Sequence, residues 1–221
     1  MRALCALALL AACGDNNGPL ALPLASGPAQ LELVDGALVF SRSGNVKLTF
    51  ARGAFQVGTV DDLDSGASFD PYWLFIDSPI EPDGLEWHAS DELRVVASDA
   101  SMLRLAFDVP GGEATLTFSP GQPGGFRAGF ATSAPNVAYL RLAPDATASE
   151  GFYGLGEWAD GVEHRGKLRP MQLEVDTTVE SSNNEAHVPV PLIVGTHGWG
   201  LFVKSDRPGV FDVARTSPTL V

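Results

Sequence analysis

LRLAFDVPGGEATLTF, residues 103–118, has the pattern of two antiparallel strands joined by a tight turn. Apolar residues occupy every second position before the Pro110-Gly111-Gly112 break, and the same alternation resumes after it. Each strand then has one apolar and one polar face, as in an antiparallel sheet that packs on one side. The apolar positions are Leu103, Leu105, Phe107, Val109, Ala114, Leu116 and Phe118.

The same period of two extends along the chain in both directions. LELVDGALVFSR (31–42) contains an Asp35-Gly36 turn, a strong hairpin signal, and SGN (43–45) turns the chain into VKLTF. After residue 12 no window keeps a helical period, and Gly and Pro interrupt most candidate helices. We therefore predict an all-β fold, an antiparallel β-sandwich. Further predicted strands are FRAGFAT (126–132), VAYLRLA (137–143), VPVPLIVG (188–195) and WGLFVKS (199–205).

The N-terminus has the pattern of a bacterial lipoprotein signal. Residues 1–12 combine Arg2 with a short apolar run, and Leu10-Ala11-Ala12-Cys13 resembles a lipobox, in which the cysteine becomes the lipidated first residue. An ordinary signal peptide that happens to contain Cys13 is the alternative. We expect an exported protein held at a membrane by lipid on Cys13, facing the periplasm or the cell surface, with a flexible tether over 13–30 and a β-domain over 31–221.

Charge and motif content narrow the function. The chain has 27 Asp and Glu against 14 Lys and Arg, a net charge of −13, which argues against nucleic acid as a partner. The four histidines lack metal-site spacing and no G-x-S-x-G motif occurs, so we expect no metal and no cofactor. Neutral carbohydrates are compatible with this composition.

GFYGLGEWADG (151–161) partly matches a dinucleotide-binding loop through Gly154, Gly156 and Ala159. The context argues against that function, because a loop precedes the motif and no helix follows it. We interpret the glycines as turn residues where a strand ends and a long polar loop begins.

The last third of the chain resembles the N-terminal domain of glycoside hydrolase family 31, the retaining α-glucosidases and α-xylosidases. The motifs that carry the resemblance occur in the family's order over some sixty residues, and upstream of them the match is only to an alternating β-domain. They are Tyr153-Gly154-Leu155-Gly156-Glu157, Arg165-Gly166, Asp176-Thr177-Thr178, Val188-Pro189-Val190-Pro191-Leu192, Gly198-Trp199-Gly200-Leu201-Phe202-Val203, Pro208-Gly209 and Phe211-Asp212-Val213.

The resemblance implies a galactose mutarotase-like supersandwich that packs against a (β/α)₈ barrel and sends a loop over the barrel mouth. Asp176 and Thr178 would bind an oligosaccharide or α-glycoside substrate on that loop, whereas an Asx or ST turn is their purely structural alternative. The family's catalytic carboxylates lie on the barrel, so the resemblance implies that this chain has no catalytic residue of its own. We expect the barrel downstream, beyond a truncation at Val221.

Two other functions stay open: a stand-alone surface lipoprotein that binds glycans, and a mutarotase-like aldose epimerase, which needs a histidine and a glutamate in one cleft. Among the aromatic residues we expect Trp199 to pack in the core and leave Trp158 undecided between packing and sugar stacking. His164 and Arg165 are candidates for either a cleft or a plain surface loop.

Overall fold

A computed structural model describes residues 23–61, 84–171, 186–205, 207 and 209–221. Within these ranges the chain forms β-strands and no helix, and hence no helix that could span a membrane. The strands are β1 Leu24–Ser26, β2 Ala29–Val34, β3 Ala37–Arg42, β4 Asn45–Phe50, β5 Phe55–Thr59, β6 Glu86–Ala89, β7 Arg94–Asp99, β8 Met102–Val109, β9 Gly112–Pro120, β10 Phe126–Thr132, β11 Val137–Leu142, β12 Phe152–Trp158, β13 Lys167–Pro170, β14 Ala186–Gly195, β15 Trp199–Phe202 and β16 Val210–Val213.

The described strands pair antiparallel throughout. Two four-stranded meanders, β1-β2-β3-β4 and β10-β9-β8-β7, are accompanied by the sheets β11-β5-β6, β12-β14-β15 and β13-β16. The prediction of an all-β, antiparallel β-sandwich is confirmed.

Aromatic residues join the two meanders into a sandwich. Phe40 of β3 lies 6.2 Å from Phe118 of β9 and 5.7 Å from Phe126 of β10, ring centroid to ring centroid. Phe50 stacks on Phe55 at 4.9 Å and so extends the core to the sheet that contains β5. Burial of each such ring contributes about 1.5–3 kcal/mol, so this apolar layer is a main source of the fold's stability.

The hairpin signals in the sequence are confirmed. Asp35 and Gly36, with φ of 50° and 82°, form the two-residue turn between β2 and β3, which requires positive φ at both positions. Every apolar position predicted in 103–118 is buried. The period-two pattern therefore identified β8 and β9 with the correct inward faces.

The expected tether over 13–30 is corrected in its last part. β1 and the start of β2 lie inside it, and Leu24, fully buried, pairs with Leu31. The segment is rich in Gly, Pro and Ala, which concealed the alternation of LAS, but burial of Leu24 against the core holds it in the sheet. The ordered domain thus begins by Leu24 rather than at Leu31.

The interpretation of 151–161 as a turn is also corrected, since Phe152–Trp158 is strand β12 and pairs with β14. The polar stretch that follows is not a loop throughout, because Lys167–Pro170 forms β13 and pairs with β16. These two strands form the surroundings of the candidate site.

Candidate functional site

The three residues predicted as functional, Asp176, Thr178 and Cys13, lie outside the described residues. The structure does describe the chain on both sides of the segment that contains Asp176 and Thr178. β13 leads into it, and the Met171 N–H donates to the Gly209 carbonyl at 2.8 Å. β14 begins after it at Ala186. The described part of the candidate site is therefore the framework around these two strands.

β12 is irregular where it meets β14. Gly154, Leu155 and Gly156 have φ of 102°, 58° and 95°, all in the region that side chains disfavour. The pairing jumps from Gly154–Ile193 to Gly156–Pro189, so β14 advances four residues while β12 advances two. This bulge lets Leu155 point into the core, where it is fully buried.

Two side chains satisfy the carbonyl groups of the bulge. His164 Nε2 lies 2.9 Å from the Gly154 oxygen, and Trp158 Nε1 donates to the Leu155 oxygen at 2.9 Å. Buried carbonyl groups that leave a regular ladder need such partners, since an unpaired one costs about 1–3 kcal/mol. The His164 side chain is only 1% exposed, so it points inward from the segment between β12 and β13 and does not line an open cleft.

Arg169 of β13 connects these groups. Its Nε donates to His164 Nδ1 at 3.1 Å, one guanidinium nitrogen donates to Asp160 Oδ1 at 2.7 Å, and the guanidinium lies 4.2 Å from the Trp158 ring centroid. Trp158 is thus a packing residue, covered by the cation. We call Trp158, Asp160, His164 and Arg169, with the two carbonyl groups that they hold, the β12–β13 network.

The hydrogen bonds define the tautomer of His164. Because Arg169 Nε can only donate, His164 Nδ1 must accept, and the ring proton is on Nε2, where it donates to the Gly154 oxygen. Burial lowers the pKa of His164, and the Arg169 charge lowers it further, against the opposing effects of Gly154, Asp160 and Glu163. The folded protein therefore favours the neutral ring.

Asp160 is the counter-ion of the network. Burial acts to raise its pKa, but hydrogen bonds and charges from Arg169 and Lys167 outweigh this and hold the pKa below the ordinary value of 3.8. Its second oxygen lies 3.1 Å from Lys167 Nζ. The carboxylate stays ionised and compensates the fully buried Arg169.

Stability should fall in mild acid because of His164. The folded-state pKa is below the ordinary 6.5, so the unfolded chain binds the proton first, and the free energy of unfolding declines as pH falls below about 6.5. We expect the protonation of His164 to lower the free energy of unfolding by at most about 1.4 kcal/mol per pH unit. Urea unfolding at pH 7.5 and 5.5 measures it, with His164→Gln as the non-titrating control. An identical decline in both proteins would contradict this role.

A second polar cluster lies at the other end of β12. Glu150 is 2% exposed and accepts a 2.7 Å hydrogen bond from Trp199 Nε1, while its other oxygen lies 3.6 Å from His197 Nδ1. Trp199 is buried against Phe152, which confirms its expected packing role. Glu150 is closed off beneath this ring, so the Glu150–His197 pair gives little support to an epimerase cleft.

Arg165 has a structural role. Its guanidinium donates to the carbonyl oxygens of Glu150, Thr147 and Pro218 and so ties β12 to the final residues of the chain. Among the residues that the structure describes, no group of three or more His, Cys, Asp or Glu side chains could hold a metal ion. The described side chains around β12 and β13 thus hydrogen-bond chiefly to neighbouring parts of the fold.

Comparison with solved structures identifies the architecture. The chain matches a GH31 family sulfoquinovosidase from E. rectale over 86% of its own length, with a TM-score of 0.54 and 16% identity. It also aligns with a Flavobacterium johnsoniae GH31 dextranase over 88% of this chain and 24% of that one, with 13% identity and a TM-score of 0.35. A cycloalternan-forming enzyme from Listeria monocytogenes aligns over 83% of this chain and 21% of its own, with 16% identity and a TM-score of 0.35. Both of these similarities are weak. No protein-family profile and no curated protein matches the sequence.

The fold is therefore that of a β-sandwich found within a larger glycosidase. The chain spans 29% of the length of the E. rectale GH31 sulfoquinovosidase, and at 16% identity the likeness establishes the fold alone.

Proposed function

We propose that this chain is the N-terminal β-sandwich of a retaining α-glycosidase of the GH31 type. Its role is to supply a loop to a sugar site whose catalytic carboxylates lie on a (β/α)₈ barrel in the rest of the polypeptide. The observation that carries the proposal is the fold match over 86% of this chain to 29% of a GH31 enzyme. The order of the motifs between Tyr153 and Val213 supports it independently.

The β12–β13 network supports the loop's assignment as functional. Binding residues on a loop need a rigid base, and the network immobilises the strand that leads into 172–185 with buried hydrogen bonds and a compensated charge. Much of the motif at 153–157, which resembles the GH31 pattern, thus belongs to the structure that supports the loop. Asp176 and Thr178 on the loop would contact the substrate.

Asp176 and Thr178 suit the hydroxyl groups of a glycoside. An ionised carboxylate accepts hydrogen bonds from two neighbouring hydroxyls, and a threonine hydroxyl both donates and accepts. Hydrogen bonds to a charged group contribute about 1.5–3 kcal/mol each. The substrate class we propose is an α-glycoside or oligosaccharide.

The codons that follow Val221 provide the first test. A reading frame that continues into a barrel with a catalytic aspartate, and α-glycosidase activity of the encoded protein on a panel of glucosides, xylosides and sulfoquinovosides, is the expected result. A stop codon, with a stable product that binds oligosaccharide, would instead favour the stand-alone glycan-binding lipoprotein. Mutarotation of fresh α-glucose, followed by polarimetry, would identify an epimerase.

Asp176→Ala in the full polypeptide should weaken substrate binding by about 2 kcal/mol, close to thirtyfold, because the hydroxyl groups lose a charged acceptor. Kinetics on the best substrate of the panel measure the change. Asp176→Asn, which keeps the shape and one acceptor oxygen, should give a smaller loss. Unchanged KM and kcat in both variants would show that Asp176 does not contact the sugar.

We further propose export and lipid attachment at Cys13. Cys13→Ser should abolish incorporation of a labelled fatty acid and release the protein from the membrane fraction, because two or more acyl chains supply the anchor. Cys5→Ser is the matched control and should keep the label, since Cys5 is removed with the leader. Labelling that persists in Cys13→Ser would contradict the lipobox assignment.

A further inference from the structure

One face of the β12-β14-β15 sheet is apolar and exposed. Alternate residues of β14 present Val188, Val190, Leu192 and Val194 to solvent, with exposed fractions between 36% and 56%. Tyr153 of β12 lies opposite Val194, and Phe202 of β15 lies opposite Leu192. We call these six residues the outer apolar face.

The opposite face of the same sheet already belongs to the core. Ile193 is fully buried, and Trp199 and Phe152 pack together beneath it. A sheet with one solvated face normally alternates apolar and polar residues, whereas an uninterrupted apolar strand such as VPVPLIV (188–194) is typical of burial on both faces. The outer apolar face therefore has the composition of an interior surface.

The charge distribution points to the same conclusion. Within the described side chains of β12, β14 and β15, Glu157 is the charged one, and it lies at one end opposite Val188. The whole chain carries a net charge of −13, so such an uncharged area is distinct from the remaining surface. Contiguous exposed apolar patches of this kind mark interaction sites.

We infer that the outer apolar face is the surface on which the catalytic barrel docks, an inference that rests on the proposed function. The matched fold occupies 29% of a longer chain, so the remaining polypeptide is an available partner. β14 also begins directly after the segment that contains Asp176 and Thr178, and a barrel seated on β14 would lie beside that segment. Apolar side chains of the barrel are the complementary chemistry.

The test uses the full polypeptide with single substitutions on this face. Phe202→Asp and Leu192→Asp should raise deuterium uptake in β14 and β15 and speed protease cleavage between sandwich and barrel at least tenfold, while β8 and β9 stay protected. Val194→Thr, which keeps the side-chain shape, should have a smaller effect in the same direction. Val46→Asp on β4, where the valine is 62% exposed, is the matched control and should behave as wild type.

The outcomes separate the two proposals. A polypeptide that ends without a barrel overturns the proposed function and this inference together. A barrel that remains coupled to the sandwich in Phe202→Asp and Leu192→Asp overturns the inference alone. Conversion of a dimer to a monomer by these substitutions, with domain coupling unchanged, assigns the face to a second copy of the chain and also overturns the inference.

Discussion

Gly156→Ala is expected to lower the free energy of unfolding by about 4 kcal/mol. Gly156 has φ of 95°, which costs an L-residue about 1–3 kcal/mol. An added Cβ would also collide with the Val188 carbonyl oxygen and lie 2.9 Å from the Val190 nitrogen. Backbone atoms of a paired strand cannot move aside as a flexible side chain does, so overpacking adds about 1–3 kcal/mol. Urea unfolding followed by tryptophan fluorescence measures the loss.

Two control substitutions separate backbone strain from collision. Gly166→Ala also requires positive φ, 77°, but its Cβ would meet nothing within 4 Å, so a loss of about 1 kcal/mol is expected. Gly129→Ala on β10 has an ordinary φ and a nearest contact of 3.9 Å, and it should be neutral or slightly stabilising. Equal losses in Gly156→Ala and Gly166→Ala would show that β14 yields to the added methyl group.

These glycines show where sequence reasoning reaches its limit. Strands such as β8 and β9 were predictable because a period of two is a property of the local sequence and burial follows it directly. Gly154 and Gly156 were interpreted as turn residues because glycine with positive φ is commonest in turns. A bulge inside a strand uses the same conformation, and only the partner strand β14, some thirty residues away, distinguishes the two.

The β12–β13 network was not predicted from the sequence, for a related reason. Arg169 stands in the polar context KLRP, and a charged residue is expected at the surface unless a partner is supplied. Its partners Asp160 and His164 lie nine and five positions earlier, without a helical or strand spacing that would align them. Their convergence depends on the pairing of β13 with β16, whose paired residues are forty or more positions apart in the sequence. Asp176 and Thr178 came from family resemblance alone, and they stay a prediction.

The largest electrostatic effect is expected from Arg169→Met, a loss of about 3 kcal/mol. The substitution removes the donors to His164 Nδ1 and Asp160, and breaking a buried ion pair from one side costs about 3–5 kcal/mol. The lower end of that range applies because Asp160 is 19% exposed and keeps Lys167 as a partner. Methionine retains apolar contact with Trp158, so the cavity that remains is small.

Lys167→Met is the matched control, because it removes the other cation that faces the same carboxylate. Its ammonium belongs to a side chain that is 46% exposed, so less than about 1 kcal/mol should be lost. The cycle of Arg169→Met with Asp160→Asn then isolates their coupling, since a second substitution costs less once the partner is gone. Additive losses in that cycle would mean that Arg169 acts through Trp158 and His164 alone. A coupling energy between the two substitutions would instead show that the Arg169–Asp160 ion pair joins β13 to the end of β12. The same ion pair would then also hold in place the strand that leads to Asp176.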